Sequence, residues 1–209
     1  MEGRKMLINE KIGDYLEVLK SEAPAPGGGA VCALSGAQGA ALVMMVANLT
    51  IGKKKYADDE ALCISVRDEA DGLLSELEAG IDADKVAFGK VSAAYSMPKE
   101  TESEKEARRD AIAIASVGAA DAPLAVMRAA LRALQLTDSL IGHSNRNLVS
   151  DLYVAALNLQ TCIVGAELNV AANIPSIRDK ADAESKKAES DRIVEEGMIL
   201  EDKILADAK

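Results

Sequence analysis

Aromatic side chains are almost missing from this chain: one Phe, four Tyr and no Trp in 209 residues. Strand interiors favour aromatic and β-branched residues, so the scarcity argues against a sandwich, a barrel or a doubly wound sheet. Proline is sparse too, with five residues, which leaves room for long uninterrupted helices. There is one histidine, His143, and the three cysteines, Cys32, Cys63 and Cys162, form no CxxC pair. That set cannot supply a His/Cys zinc site, and it leaves no choice of histidine for a Ser–His nucleophile. The cysteines sit far apart in apolar runs, as free thiols do in a reducing, cytoplasmic compartment. Basic residues are outnumbered, 24 against 34 acidic, for a net charge of −10. A general nucleic-acid surface needs the opposite balance; an anionic small ligand needs only one local basic cluster. Met1 to Lys11 has mixed charge and lacks the apolar core of a signal peptide.

What is present in excess is alanine, 37 residues, within a hydrophobic share of 49%. Alanine favours helices and lets them approach closely. The length suits one domain, residues 1–209, with no repeat and no linker. From Ala23 to Gly52 there is no charge, and Ala30–Leu49 is mostly apolar. Such a run is long enough to cross a bilayer, and Lys53, Lys54 and Lys55 follow it as a cytoplasmic anchor would. Ser35, Gln38, Asn48, the Ala/Gly content and the missing aromatic belt favour instead a buried central helix with no membrane contact. The pattern predicts an all-α bundle of about six helices: Asn9–Ser21 with Asn9 as cap, Ala30–Leu49, Asp58 or Asp59 to Tyr95, a fourth to Leu140, Asn147–Ala172 and Ala181–Ala206. Thr101 to Glu104 reads as a capping box for the fourth. Pro123 predicts a kink or restart there, with Asp121 as a local cap.

Two helical faces carry polar anomalies. The third helix has an apolar stripe at Leu62, Val66, Ala70, Leu73, Leu77, Ile81, Phe88, Val91 and Tyr95. Asp84 occupies a stripe position between Ile81 and Phe88. A carboxylate there is either a catalytic group or half of a buried ion pair with Lys85 or a distant arginine. The fifth helix has its stripe at Val149, Leu152, Ala156, Leu159, Ile163, Ala166 and Val170. Beside it runs a second one, Asp151, Ala155, Asn158, Cys162, Gly165, Asn169 and Asn173. Amides and small residues suit a narrow polar cavity or a tight helix contact. Gly27, Gly28 and Gly29 precede a helix start, where free N–H groups favour an anion or a carbonyl; a flexible turn is the plainer reading. The lysine triplet is a ligand for an anion or a complement to a helix C-terminus. His143 to Asn147 forms a polar loop leading to Ser150 and Asp151.

In order along the chain stand Pro24-Ala25-Pro26-Gly27-Gly28-Gly29, Asn48 to Tyr56 with the lysine triplet, Ile81-Asp82-Ala83-Asp84 with Ala87-Phe88, Met97-Pro98-Lys99-Glu100-Thr101 with Glu104, Lys105 and Arg108, and Gly142 with Asn145, Ser150 and Asp151. This series resembles the cyclodeaminase/cyclohydrolase family of folate enzymes over nearly the whole chain. The resemblance implies an all-helical homodimer that acts on tetrahydrofolate derivatives with no metal and no prosthetic group. It assigns the catalytic carboxylate to the Asp82/Asp84 pair, Asp84 first, with Asp151 as a further carboxylate. It implies substrate contacts at Gly27, Gly28 and Gly29, at Lys53, Lys54, Lys55 and Lys99 for the anionic glutamate tail, and at Asn145 and Ser150. Ala30 and His143 depart from the family's Ser and Asn. A stand-alone chain favours methenyltetrahydrofolate cyclohydrolase, with formiminotetrahydrofolate cyclodeaminase as the alternative. The rival class is a non-enzymatic helical module for partner proteins, which would neutralise Asp84 with a salt bridge.

Overall fold

A computed structural model describes residues 6–206. Residues 1–5, where the segment read as lacking a leader begins, and 207–209 lie outside the described residues. Six α-helices carry the chain: α1 Ile12–Leu19, α2 Gly28–Thr50, α3 Glu60–Tyr95, α4 Glu102–Leu140, α5 Val149–Asn173 and α6 Lys180–Leu205. Short 3-10 turns link them, and no strand occurs among the described residues. Helices α2 to α5 form an up-down-up-down bundle in which α2 and α4 each touch α3 and α5. Short connections force antiparallel neighbours. Helix α6 lies on α4 and α5, running parallel to α4. Arg128–Glu189, Gln135–Glu196 and Lys203–Asp138 contacts join them.

The uncharged α2 is the axis of the core. Ala30, Ala33, Ala40, Val43, Val46 and Ala47 are fully enclosed. By length and composition α2, α4 and residues 146–176 could each cross a membrane. Here they pack side by side, and half of the most apolar α2 window is buried inside the bundle. The second stripe of α5 is the seam against α2, not a cavity. A Cβ on Gly36 would stand 2.8 Å from the Cys162 Sγ, and one on Gly39 would stand 2.6 Å from Leu159 Cγ. Ser35 donates to the Asn158 backbone oxygen at 3.0 Å. The amides of Asn158 and Asn169 turn back onto their own helix, to Val154 and Gly165 carbonyls. All three cysteines are free and buried.

Three sequence expectations change. Asn9 ends a 3-10 turn, and α1 starts after Lys11 without a side-chain cap. Phe88 and Tyr95 leave the core, being 46% and 51% exposed. Helix α2 begins opposite Asp84, so α3 overhangs it by about three turns. Only α4 flanks that overhang, through Arg108, which donates to the Tyr95 carbonyl. Pro123 does not restart α4, which runs unbroken behind the Thr101/Glu104 capping box. Proline removes the N–H that would bond the carbonyl four residues earlier. That carbonyl, Ala119, accepts from the Asn173 amide at 3.3 Å. Asp121 is free of capping duty and pairs with Lys186.

Candidate active site

Asp84 is built into the start of α2. Gly27 is the N-cap and supplies no side chain to the free N–H groups. The Asp84 carboxylate, coming from α3, lies over that start, close to the Ala30 N–H. Gly29 makes this possible, because a Cβ there would stand 2.5 Å from the Asp84 Cγ. A carboxylate at a helix N-terminus meets free donors and the positive end of the dipole. Its surroundings are otherwise apolar. A crevice of about 10 Å³ beside it is lined by Gly29, Gly80, Pro123 and Val126. Desolvation pushes the Asp84 carboxyl above the usual carboxylate range, against the smaller opposing effect of the Ala30 N–H. Among the described residues no lysine or arginine pairs with it, so the ion-pair expectation is corrected. Lys85, one residue along the helix, does not share its face. The group is a half-buried carboxylate without a structural cation.

Asp82 does different work. Both of its oxygens accept from the Leu7 N–H at 3.1 Å, fastening the N-terminal turn to α3. Above that fastening, Tyr15 and Cys32 lie near Asp84, and its charge raises the pKa of each beyond what burial alone does. Tyr15 is not among the site residues expected from the sequence, where it stands only on the apolar face of the first helix.

The remaining site residues of the sequence reading, Lys99 excepted, gather at the other end. Lys53, Lys54 and Lys55 follow the C-terminus of α2 and are exposed. The 23 residues of α2 separate them from Asp84 by roughly 35 Å along the axis. Asn145 sits beside them, its N–H donating to Thr50 Oγ1 at 3.0 Å while its side chain caps Asn147. Ser150 and Asp151 open α5 at this same end. His143 is occupied by Asp59 at 2.8 Å, and Tyr56 accepts from the Arg146 N–H. Lys99 is at the tip of the α3/α4 overhang. The structure therefore brings Gly27, Gly28, Gly29, Asp82 and Asp84 together, and separately Lys53, Lys54, Lys55, Asn145, Ser150 and Asp151. No cluster of three His, Cys, Asp or Glu suited to a metal ion occurs among the described residues.

The profile of the formiminotransferase-cyclodeaminase family matches residues 11–192. The chain belongs to this family. A methenyltetrahydrofolate cyclohydrolase of Methylorubrum extorquens is 41% identical over 204 residues, covering 98% of both chains. The formimidoyltransferase-cyclodeaminase of Gallus gallus is 30% identical over 84% of this chain, which spans 32% of that longer protein. Among solved structures, the formiminotetrahydrofolate cyclodeaminase of Thermotoga maritima superposes with a TM-score of 0.83 at 27% identity, covering 96% of this chain and 98% of that one. Family membership and the fold agree with the resemblance read from the ordered motifs.

Proposed function

We propose that this protein is a methenyltetrahydrofolate cyclohydrolase, converting 5,10-methenyltetrahydrofolate and water to 10-formyltetrahydrofolate. The observation that carries the reading is Asp84: an unpaired, half-buried carboxylate held at the glycine-led start of α2, in a chain 41% identical end to end to a cyclohydrolase. The substrate's amidinium is a delocalised cation, and a carboxylate in an apolar site attracts it strongly. Water adds to the methenyl carbon as the C=N pair moves to nitrogen, and Asp84 takes one water proton. The carbinolamine then collapses: the N5–C bond breaks, N5 receives the proton from Asp84, and the hydroxyl proton leaves as the formyl C=O forms. One proton is released overall, and the substrate's positive charge goes with it. These steps need no metal and no prosthetic group. Three free, buried cysteines support a reducing, cytoplasmic setting for the reaction.

The second reading is formiminotetrahydrofolate cyclodeaminase, favoured by the likeness to the Thermotoga maritima enzyme. There N10 attacks the carbon of the protonated formimino group, Asp84 takes the N10 proton and passes it to the departing nitrogen, and ammonia leaves as the methenyl cation forms. Purified protein given each folate separately decides between them: loss of methenyl absorbance supports the first, and ammonia release from the formimino substrate supports the second. Turnover of neither folate overturns both.

The protein acts as a homodimer in this reading. Val31 and Leu49 on α2 and Val154, Leu157, Val164 and Leu168 on α5 remain 40–65% exposed on two helices that carry almost no charge. A two-fold axis crossing α2 sets its two ends against opposite ends of a second copy. That pairing carries the lysine triplet of the second copy toward Asp84, where the anionic folate tail would meet it.

A further inference from the structure

Tyr15 is the sole buried residue of α1. Its side chain is 7% exposed, and its hydroxyl is buried without a hydrogen-bond partner. Buried polar atoms in folded proteins nearly always have partners, and an exception calls for a reason. Phenylalanine would fill the same place and strand nothing. Tyr15 lines a cavity of about 140 Å³ together with Leu34 and Ile81; Ile81 is one helical turn before Asp84. The Asp84 carboxylate and the Cys32 thiol lie near the ring, and both add to the effect of burial on the phenol. Burial, with those two groups, keeps the phenol protonated well past neutrality, so it remains a donor throughout the working range. Helix α1 buries nothing else, and elements with few buried contacts shift at small cost.

We propose that the Tyr15 hydroxyl is the hydrogen-bond donor to the reacting oxygen beside Asp84. The proposal rests on the cyclohydrolase reading and adds a second group to it. Asp84 moves protons; Tyr15 moves none. When the carbinolamine hydroxyl gives up its proton and N5 departs, negative charge develops on that oxygen before the formyl C=O is complete. A phenolic O–H aimed at it stabilises that charge and then binds the formyl oxygen of the product. Donors of this kind typically contribute about ten- to a thousandfold in rate.

Tyr15→Phe tests this, with kcat, KM, thermal midpoint and affinity for 5-formyltetrahydrofolate, a stable folate carrying a formyl oxygen, measured on one preparation. The expected result is a kcat lower by about tenfold or more, a KM changed far less, weaker binding of the formyl probe, and a midpoint unchanged or higher. A structural role predicts the reverse: a lower midpoint, with activity falling only as the folded fraction falls. That outcome overturns the proposal, as does wild-type kcat in a stable Tyr15→Phe protein. Wild-type protein that neither turns over nor binds these folates defeats the underlying reading itself, a result distinct from an active wild type indifferent to Tyr15→Phe.

Discussion

At the scale of single residues, the site joins one carboxylate, one glycine without a side chain and one helix terminus. Asp84 has a folded-state pKa above its ordinary value of 3.8. The folded protein therefore holds this proton more tightly than the unfolded chain does. Its stabilising contribution is complete below the ordinary value and is lost as pH rises through the folded-state value. At neutral pH the ionised group is a net cost to stability. Asp84→Asn should accordingly lower kcat by roughly a hundredfold or more while leaving the thermal midpoint unchanged or slightly raised. The acid limb of the wild-type pH–rate profile should lie above the ordinary carboxylate range and vanish in the variant. Gly28 and Gly29 give a paired test. A Cβ on Gly28 meets nothing within 4 Å, whereas one on Gly29 collides with Asp84. Gly28→Ala should stay folded and show mainly a KM effect. Gly29→Ala should displace the carboxylate and lose activity. Equal activity in the two variants would disprove the placement of Asp84 at the α2 start.

At the scale of elements, α4 shows how tertiary packing overrides a local signal. Pro123 predicts a break, yet the Ala119 carbonyl it leaves unbonded is served from α5 by Asn173. Asn173→Ala should therefore lower stability by about 1–2 kcal/mol. The loss should shrink when Pro123→Ala restores the N–H inside the helix. Chemical denaturation of the two single variants and the double variant gives the coupling. Additive effects would mean that the Asn173 amide does not substitute for the missing N–H. The seam between α2 and α5 follows a different logic. There the sequence pattern of small residues and amides leaves a polar cavity and a close helix contact equally open, and the packing of Gly36 on Cys162 and Gly39 on Leu159 decides for the contact.

At the scale of the whole molecule, the residues that the family resemblance groups into one site fall at the two ends of α2, roughly 35 Å apart. A composite dimer site predicts complementation. Asp84→Asn protein and a Lys53→Gln/Lys54→Gln/Lys55→Gln protein should each be impaired, the second through a raised KM that is more marked at low salt. Mixed and allowed to exchange subunits, they should regain part of the wild-type kcat/KM, because one site in each mixed dimer then carries both intact halves. No recovery despite demonstrated exchange would place the lysines outside the site. A monomer in sedimentation at micromolar concentration would remove the dimer altogether.

The all-helical class, the six elements, the capping box at Thr101, the buried α2 and the candidacy of Asp84 were all legible in the sequence. Each rests on local composition or on a 3.6-residue period, and such signals survive without knowledge of neighbours. Five things needed the folded chain. Asp84 is unpaired because no cation on another helix reaches it. Asp82 fastens the N-terminal turn to α3, and Phe88 is exposed because α2 begins too late to cover it. Tyr15 lies near Asp84 because α1 packs beside Ile81. Asp84 stands far from the lysines because α3 docks it against the opposite end of α2. All five depend on which surfaces meet across large sequence separations, and a periodic pattern along one helix carries no information about its neighbour.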